Sequence, residues 1–392
     1  MQKGRRGSWV EVDLRAIKEN YKSTMARLEN RGSSGGCGRL PPAGSAEAIA
    51  VIKSNAYGHG DVSVARALHS VGVRRFAVAS LDEAARLRCA GLSQDKCDVL
   101  ILGYTPPRLI GEVAELGAIQ TVISAEYARE IAALGISVRT HLAVDTGMRR
   151  IGIDAANGVS DELSAVLHLL QPSGMFSHLA TADSEDDDGR RFTALQLGRF
   201  SALLPTALEH GVSDFHILNS AGILYHADNV GGDLGRLVRP GIMLYGLSAR
   251  SGADLPPDFS PALAWRTYVA MVKTVKRGDY IGYGRSFRAE RDMTVATLPV
   301  GYGDGYPRML SSVGSVLIGG VRAPIIGRIC MNQMTVDVSC CGPVQAGDEV
   351  TLIGRSGDAS ITADELGALR GSIGYEIVTG ICESVPRLYI DD

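Results

Sequence analysis

Glu47-Ala48-Ile49-Ala50-Val51-Ile52-Lys53 is an apolar run rich in β-branched residues that ends on a lysine, and Val62-Ser63-Val64-Ala65-Arg66-Ala67-Leu68 follows it at helical spacing. The pair reads as a strand and then a helix, and the same alternation continues along the chain. Strands are expected over 47 to 53, 74 to 80, 98 to 104, 119 to 124, 137 to 145, 172 to 180, 214 to 220 and 237 to 246. The stretches between them read as helices, among them Leu81-Asp82-Glu83-Ala84-Ala85-Arg86-Leu87 and the longer 189 to 211. The strands recur about every 27 residues, close to the shortest unit that crosses back to a parallel neighbour. Eight such units predict an α/β chain that closes a (β/α)8, TIM-like barrel. A doubly wound open sheet is the alternative that the alternation alone leaves standing.

Near Leu255-Pro256-Pro257-Asp258-Phe259-Ser260-Pro261 the texture changes, and beyond this linker strands recur with glycine turns: 262 to 276, 292 to 300, 314 to 318, 322 to 330, 333 to 338 and 348 to 353. Only 362 to 370 has helical spacing there. Three regions follow: an N-terminal strand within 1 to 14 that joins the β domain, a barrel over 15 to 260, and a mainly β C-terminal domain over 261 to 392. Residues 30 to 46 are a Gly/Ser/Pro-rich insertion with no assigned role, and Asp183 to Asp188 reads as a solvated lead-in to a helix rather than a metal site.

The 392 residues carry a net charge of −3, which gives no basic footprint for nucleic acid. No apolar run is long enough to span a membrane, and Met1-Gln2-Lys3-Gly4-Arg5-Arg6 leads into Trp9-Val10-Glu11-Val12 without a signal-peptide core. With seven scattered cysteines, a cytoplasmic protein with no membrane partner and no metal is expected. The 47 glycines are in excess, and without a Gly-X-Y period they belong at turns or where backbone approaches a ligand.

In a (β/α)8 barrel the catalytic groups stand at the C-terminal ends of the strands. The first strand ends in Lys53. A lysine closing an apolar run is desolvated, which favours its free amine and so Schiff-base chemistry with a carbonyl; a lysine snorkelling from a strand end is the plainer reading. The sixth strand delivers His178, the seventh Asn219-Ser220 and the eighth Arg239-Pro240-Gly241-Ile242. Ser220 opening a helix, with backbone N–H groups near Gly241 and Ile242, suits a phosphate. Arg239 could equally form a structural ion pair, and His178 alone could be a hydrogen-bonded core residue.

Lys53-Ser54-Asn55-Ala56-Tyr57-Gly58-His59-Gly60, Asp145-Thr146-Gly147-Met148-Arg149-Arg150-Ile151-Gly152, His178 with Ala180-Thr181-Ala182-Asp183, Asn219-Ser220, Val238-Arg239-Pro240-Gly241, Tyr283-Gly284, Gly301-Tyr302-Gly303-Asp304-Gly305 and Cys330-Met331-Asn332-Gln333 stand in this order. Together they resemble the alanine racemase family, over about residues 9 to 387. The resemblance implies a homodimeric isomerase dependent on pyridoxal 5'-phosphate, with an active site shared between subunits. It implies that Lys53 holds the cofactor covalently and serves one face of the substrate α-carbon. Tyr283, reaching across from the second subunit, would serve the other. Tyr57, Asn219, Ser220, Gly241 and Ile242 resemble cofactor and phosphate ligands. Arg239 resembles the partner of the pyridine nitrogen, and His178 a link between Arg239 and Tyr283. Arg150 and the backbone of Met331 resemble the substrate-carboxylate site, and Tyr302 a residue of the access path. The role implied is D-alanine biosynthesis for peptidoglycan precursors.

Three positions depart from the family pattern. Ala143 stands where many members have a carbamylated lysine, Asn332 replaces the usual aspartate after the methionine, and Glu383 occupies a place commonly taken by a tyrosine beside the active-site gate. Serine, or alanine and serine together, is therefore the alternative substrate reading. A pyridoxal-phosphate-dependent decarboxylase is a further alternative; such enzymes usually pair the pyridine nitrogen with a carboxylate, and Arg239 argues against it.

Overall fold

A computed structural model describes residues 7–29, 46–250 and 252–391; of the insertion at 30 to 46, all but the last residue lies outside the described residues. The chain forms two compact units, one of Lys18–Ala56 and Asp61–Leu244, the other of Met1–Ile17, Tyr57–Gly60 and Tyr245–Asp392.

Strand β1 (Ser8–Asp13) belongs to the second unit, and the first is built on β2 (Glu47–Val51), β3 (Arg75–Val78), β4 (Asp98–Ile101), β5 (Ile119–Val122), β6 (Arg139–Asp145), β8 (Gly174–Phe176), β9 (Asp214–His216) and β10 (Leu237–Val238), with a short β7 (Ile153–Asp154) against β6. Parallel pairings run from β2 to β6, on through β8, β9 and β10, and back to β2, so the eight strands close. Ala50, Phe76, Val99, Leu142 and Met175 are fully buried, as strands covered on both faces require. The helices outside start on side-chain caps: Ser124 Oγ accepts from the Tyr127 N–H at 3.1 Å, and Ser160 Oγ from Leu163 at 3.1 Å. Asp186 of the acidic run caps helix Asp187–Ser201 through the Gly189 N–H at 2.7 Å.

Each expected barrel strand is present, and all but β6, which ends at Asp145 as expected, stop short at the C-terminal end. Ile52-Lys53, Ser177 to Ala180, Ile217 to Ser220 and Arg239 to Gly246 leave the regular ladder. They still bond across it singly, Ile52 N–H to Ala77 O at 2.9 Å and Arg239 N–H to Leu218 O at 2.8 Å. Apolar periodicity continues past the point where the backbone turns outward, so it overestimates strand length where the site begins.

In the second unit the main sheet has the order β17-β16-β19-β11-β1-β21, from β11 (Leu263–Tyr268), β16 (Ser315–Ile318), β17 (Val321–Pro324), β19 (Glu349–Ser356) and β21 (Arg387–Ile390), with β20 (Ala359–Ile361) on β19. β1 lies between β11 and β21, Val10 opposite Trp265 on one side and Arg387 on the other. A smaller sheet orders β12 (Met271–Val275), β15 (Met293–Leu298) and β18 (Met334–Asp337), and β13 (Tyr280–Ile281) pairs with β14 (Phe287–Arg288) in a hairpin. The single strand expected over 262 to 276 is two strands, because Val269 N–H bonds Asp348 O and Ala270 N–H bonds Thr297 O, switching the chain from one sheet to the other. The strand expected over 322 to 330 ends at Pro324, beyond which only Ile325 bridges to Val336. Besides helix Ala363–Arg370, Gly374–Thr379 is helical, too short for its periodicity to show. The segment from Tyr245 to the linker packs with this unit: Ala262 N–H bonds Tyr245 O at 3.1 Å, and a Cβ on Gly246 (φ +66°) would overlap Ser260. Among the described residues no helix is long and apolar enough to cross a membrane.

Candidate active site

Lys53 is the second residue beyond β2. The next four, Ser54, Asn55, Ala56 and Tyr57, have φ between 52° and 54°, a complete left-handed turn without a glycine. Each such residue costs about 1–2 kcal/mol, so the turn persists only because its surroundings hold it. Ala56 N–H bonds Ile52 O at 2.8 Å. Asn55 Oδ1 accepts from the Asp61 N–H at 2.9 Å, and the Asp61 carboxylate is gripped by Arg86 through Nε (3.0 Å) and Nη2 (2.9 Å). Burial first, then the positive charge of Arg150, and more weakly that of Arg239, lower the pKa of the Lys53 amine, against an opposing pull from the Glu83 carboxylate. More of the nucleophilic free amine is therefore present near neutrality than on an ordinary lysine.

Arg239 is almost fully buried and its two terminal nitrogens are saturated. Nη1 reaches His216 O at 2.6 Å and His216 Nδ1 at 2.5 Å; Nη2 reaches Ser177 O at 2.6 Å, Ile217 O at 3.2 Å and His178 Nδ1 at 3.4 Å. The Nε–H alone has no acceptor among the described residues. Burial, reinforced by the like charge of Arg150, pulls this guanidinium down to about 9, which leaves it cationic at neutrality. Because guanidinium only donates, the ring nitrogens facing it are acceptors. His178, pushed down to about 3 by burial and then by Arg239, Arg150 and Lys53, is neutral. His216, also held neutral by burial and Arg239, stacks on Phe176 at 4.9 Å and lies 2.9 Å through Nε2 from His141 Nδ1. Neither His216 nor His141 was among the expected site residues. The signal available is a histidine at the C-terminal end of β9, where it interrupts an otherwise apolar run.

Asn219 caps helix Ser220–Tyr225, its Oδ1 accepting from Gly222 N–H at 2.8 Å. Ser220 Oγ accepts from the N–H groups of Gly241 (2.9 Å) and Met243 (3.4 Å), which brings Ser220, Gly241 and Ile242 together. The loop after β6 is tied by Asp145, whose Oδ1 accepts from Gly147 N–H (2.8 Å) and Arg149 N–H (3.1 Å). Gly152 is obligatory there: at φ +109° a Cβ would lie 2.8 Å from the Val144 carbonyl carbon. This loop carries Arg150 to a cleft shared with Ala143, Phe176, Ser177 and His178. Arg150 makes no hydrogen bond or ion pair among the described residues, and buried Ala143 offers it no charge.

The remaining candidates lie in the second unit. Tyr57 packs its ring 5.1 Å from Tyr245 and 6.2 Å from Tyr375, and burial pushes its hydroxyl up to about 12, so it stays protonated. Tyr283, 67% exposed, sits in the β13–β14 hairpin and lines an open cleft with Cys330, Met331, Asn332 and Gln333. Gly284 there has φ +68°, and a Cβ would press on Arg328 Nη1 at 2.8 Å. Met331 O accepts from Gly303 N–H at 2.7 Å, joining the loop of Tyr302 to that of Met331, while the Met331 N–H makes no hydrogen bond among the described residues. Glu383 lies exposed in a turn before Val385.

Residues 12–249 match the family model "Alanine racemase, N-terminal domain" and residues 262–389 "Alanine racemase, C-terminal domain". The alanine racemase of Symbiobacterium thermophilum is 40% identical over 98% of both chains, and alanine racemase 1 of Clostridium acetobutylicum is 37% identical over 97% of this chain and 95% of that one. Among solved structures, alanine racemase from Bacillus anthracis with bound L-Ala-P superposes with a TM-score of 0.86 at 36% identity, covering 100% of this chain and 97% of that one. The enzyme from Bartonella henselae with covalently bound pyridoxal phosphate gives a TM-score of 0.82 at 28% identity, covering 98% and 99%.

Proposed function

The chain belongs to the alanine racemase family, and from that premise we propose that it racemises alanine with two bases, Lys53 on one face of the substrate α-carbon and Tyr283 on the other. It is an isomerase dependent on pyridoxal 5'-phosphate. The chain's own residues fit that group. A lysine with a lowered pKa is available for its aldehyde, an arginine Nε–H with no acceptor among the described residues for its pyridine nitrogen, and the Ser220, Gly241 and Ile242 cradle, with Tyr57 and Asn219, for its phosphate. When bound, the cofactor supplies the electron sink that acidifies the α-hydrogen.

Racemisation needs a proton taken from one face and returned from the other, which one base cannot easily do. Lys53 takes or gives the proton of the D-enantiomer, and Tyr283 that of the L-enantiomer. Arg150, with no hydrogen-bond or ion-pair partner among the described residues, binds the substrate carboxylate together with the Met331 N–H, and Tyr302 lines the access path. Arg239 would hold the pyridine nitrogen through its Nε–H, and because a guanidinium keeps its proton near neutrality it would leave that nitrogen unprotonated. His178 links Arg239 to Tyr283. Tyr283 comes from the second subunit of a homodimer, a reading that its exposure supports. The protein is cytoplasmic and supplies D-alanine for peptidoglycan precursors.

The observation that carries this reading is the grouping of Arg150, His178 and Arg239 around Lys53. Lys53→Ala should abolish the cofactor absorbance of the bound enzyme and turnover in both directions; turnover without added amine would refute the assignment. Tyr283→Phe should slow α-hydrogen exchange from L-alanine far more than from D-alanine, and equal losses would exclude two bases. A second reading, serine as co-substrate, rests on Glu383 standing where the family commonly has tyrosine.

A further inference from the structure

Ser80-Leu81-Asp82-Glu83 has the spacing of a helix capping box, in which the glutamate returns to the N–H of the capping serine. Only half of that box forms. Ser80 Oγ accepts from the Glu83 N–H at 3.4 Å, but the Glu83 carboxylate goes elsewhere. Its Oε2 accepts from the Ala79 N–H at 2.6 Å, one residue before the cap, and its Oε1 accepts from the Ser54 N–H at 2.7 Å. The carboxylate is nine-tenths buried and has no ion-pair partner within salt-bridge distance among the described residues. Ser54 is the residue after Lys53 and the first of the left-handed turn.

We propose that Glu83 is the positioning residue of Lys53: its buried carboxylate, bonded to the N–H groups of Ser54 and Ala79, holds the left-handed turn that aims the Lys53 amine. The reading rests on Lys53 being the catalytic lysine. A left-handed Ser54 turns its N–H away from the helical or ladder partners it would otherwise find, and Glu83 Oε1 supplies the acceptor in their place. A carboxylate satisfies that N–H with a charge-assisted bond, and its second oxygen anchors the same side chain to the end of β3. The left-handed turn is thereby tied to the rigid barrel at its first residue, while Asn55 and the Asp61–Arg86 pair tie it further along. Arg86 lies three residues beyond Glu83 on the same helix, Leu81–Cys89, so one helix supplies both anchors.

The charge of Glu83 has a second consequence at the amine. Lys53 is faced by Arg150 from the loop after β6, Arg239 from the loop after β10, His178 from the loop after β8, and Glu83 from helix Leu81–Cys89. The first two are cations and the imidazole is neutral, so Glu83 is the neighbour that favours the protonated amine, opposing the pull of Arg150 and Arg239. A base that must both take and return a proton needs that balance.

The test uses the full chain loaded with pyridoxal phosphate, with Glu83→Gln and Glu83→Asp. Glutamine keeps the length but loses the charge and turns an NH2 toward one of the two N–H groups; aspartate keeps the charge but cannot reach both. The first readout is hydrogen–deuterium exchange of the peptide containing the Ser54 amide, expected to quicken about tenfold in Glu83→Gln on loss of a charge-assisted bond. The second is kcat and KM for alanine, with kcat expected to fall on the order of tenfold to a hundredfold while KM stays within about threefold, the signature of a misplaced base. The third is α-deuterium wash-out, expected to fall further from D-alanine, whose proton Lys53 handles, than from L-alanine. A merely structural loosening would lower both equally. Unchanged Ser54 exchange, or equal losses from the two enantiomers, overturns the proposal. If Glu83→Gln does not fold, Glu83→Asp decides on the same three readouts. Turnover by Lys53→Ala would instead overturn the assignment of Lys53, whatever Ser54 does.

Discussion

Acid should unfold the barrel through three histidines. His141 and His216 are buried and His178 half-buried, each with neighbouring cations: Arg239 lowers His178 and His216, and Arg75 lowers His141 against the opposing Asp214. Burial is the largest cause in each case; it pushes His141 down to about 4 and His178 to about 3, from 6.5, and holds His216 well below 6.5. Between the folded and the unfolded values only the unfolded chain binds the proton, so stability is lost as pH falls below about 6.5 and is regained as it rises. At about pH 5.5 each imidazole should cost roughly 1.4 kcal/mol relative to neutral pH, and the three together about 4 kcal/mol. That is a large share of a typical net stability of about 5–15 kcal/mol. Calorimetric unfolding in two buffers of different ionisation heat measures the protons taken up on unfolding, expected to include nearly three from these rings. His141→Leu isolates one of them. It should destabilise at every pH, because it strips His216 Nε2 of its partner, yet lower the uptake by about 0.9 proton. Unchanged uptake in that variant, or less than about one proton in the parent chain, would refute the reasoning.

Two further outcomes follow from single contacts. A Cβ added to Gly174 would lie 2.6 Å from His141 Cε1 and Nε2, so Gly174→Ala should destabilise by about 1–3 kcal/mol through overpacking in the barrel, read as a lower thermal midpoint. If Glu383 admits a hydroxymethyl side chain, the serine-to-alanine ratio of kcat/KM should exceed about 0.01 and Glu383→Tyr should depress it; a lower ratio, unmoved by that change, would remove serine from consideration.

The barrel was legible because its signal is repetition: eight apolar runs, each followed by a helical stretch, with Lys53, His178, Ser220 and Arg239 at or beyond their ends. What periodicity does not carry is the direction of a backbone once it leaves the ladder. Nothing in Ser54-Asn55-Ala56-Tyr57 marks four successive left-handed residues, since none is a glycine and the turn is stabilised by side chains distant in sequence. The spacing of Ser80 and Glu83 satisfies an ordinary cap, so nothing local marks that the Glu83 carboxylate reaches Ser54 instead. The two-sheet course of 262 to 276 was hidden for a related reason: both halves alternate like strands, and the break at Val269-Ala270 depends on bonds to Asp348 and Thr297. Ser220 with Gly241 was found because glycine and serine at strand ends already imply backbone donors.

The barrel core itself bears on which reaction the site performs. Arg239 can only donate, so His216 Nδ1 accepts, His216 Nε2–H donates to His141 Nδ1, and His141 Nε2–H is left facing Asp214 Oδ2, 3.8 Å away. Asp214 in turn pairs with Arg75 at 2.5 Å, and Arg75 with Glu47 at 3.1 Å. Every proton in this row points from the arginine toward the carboxylate, and both ring tautomers are fixed by the two ends. A carboxylate in place of Arg239 would need His216 to donate through Nδ1. His216 Nε2 would then have to accept from His141 Nδ1–H, which would leave the bare His141 Nε2 facing Asp214. The row therefore suits a cation at position 239 and opposes the carboxylate typical of the decarboxylase alternative, so the preference for racemisation extends from Arg239 into His216, His141 and Asp214.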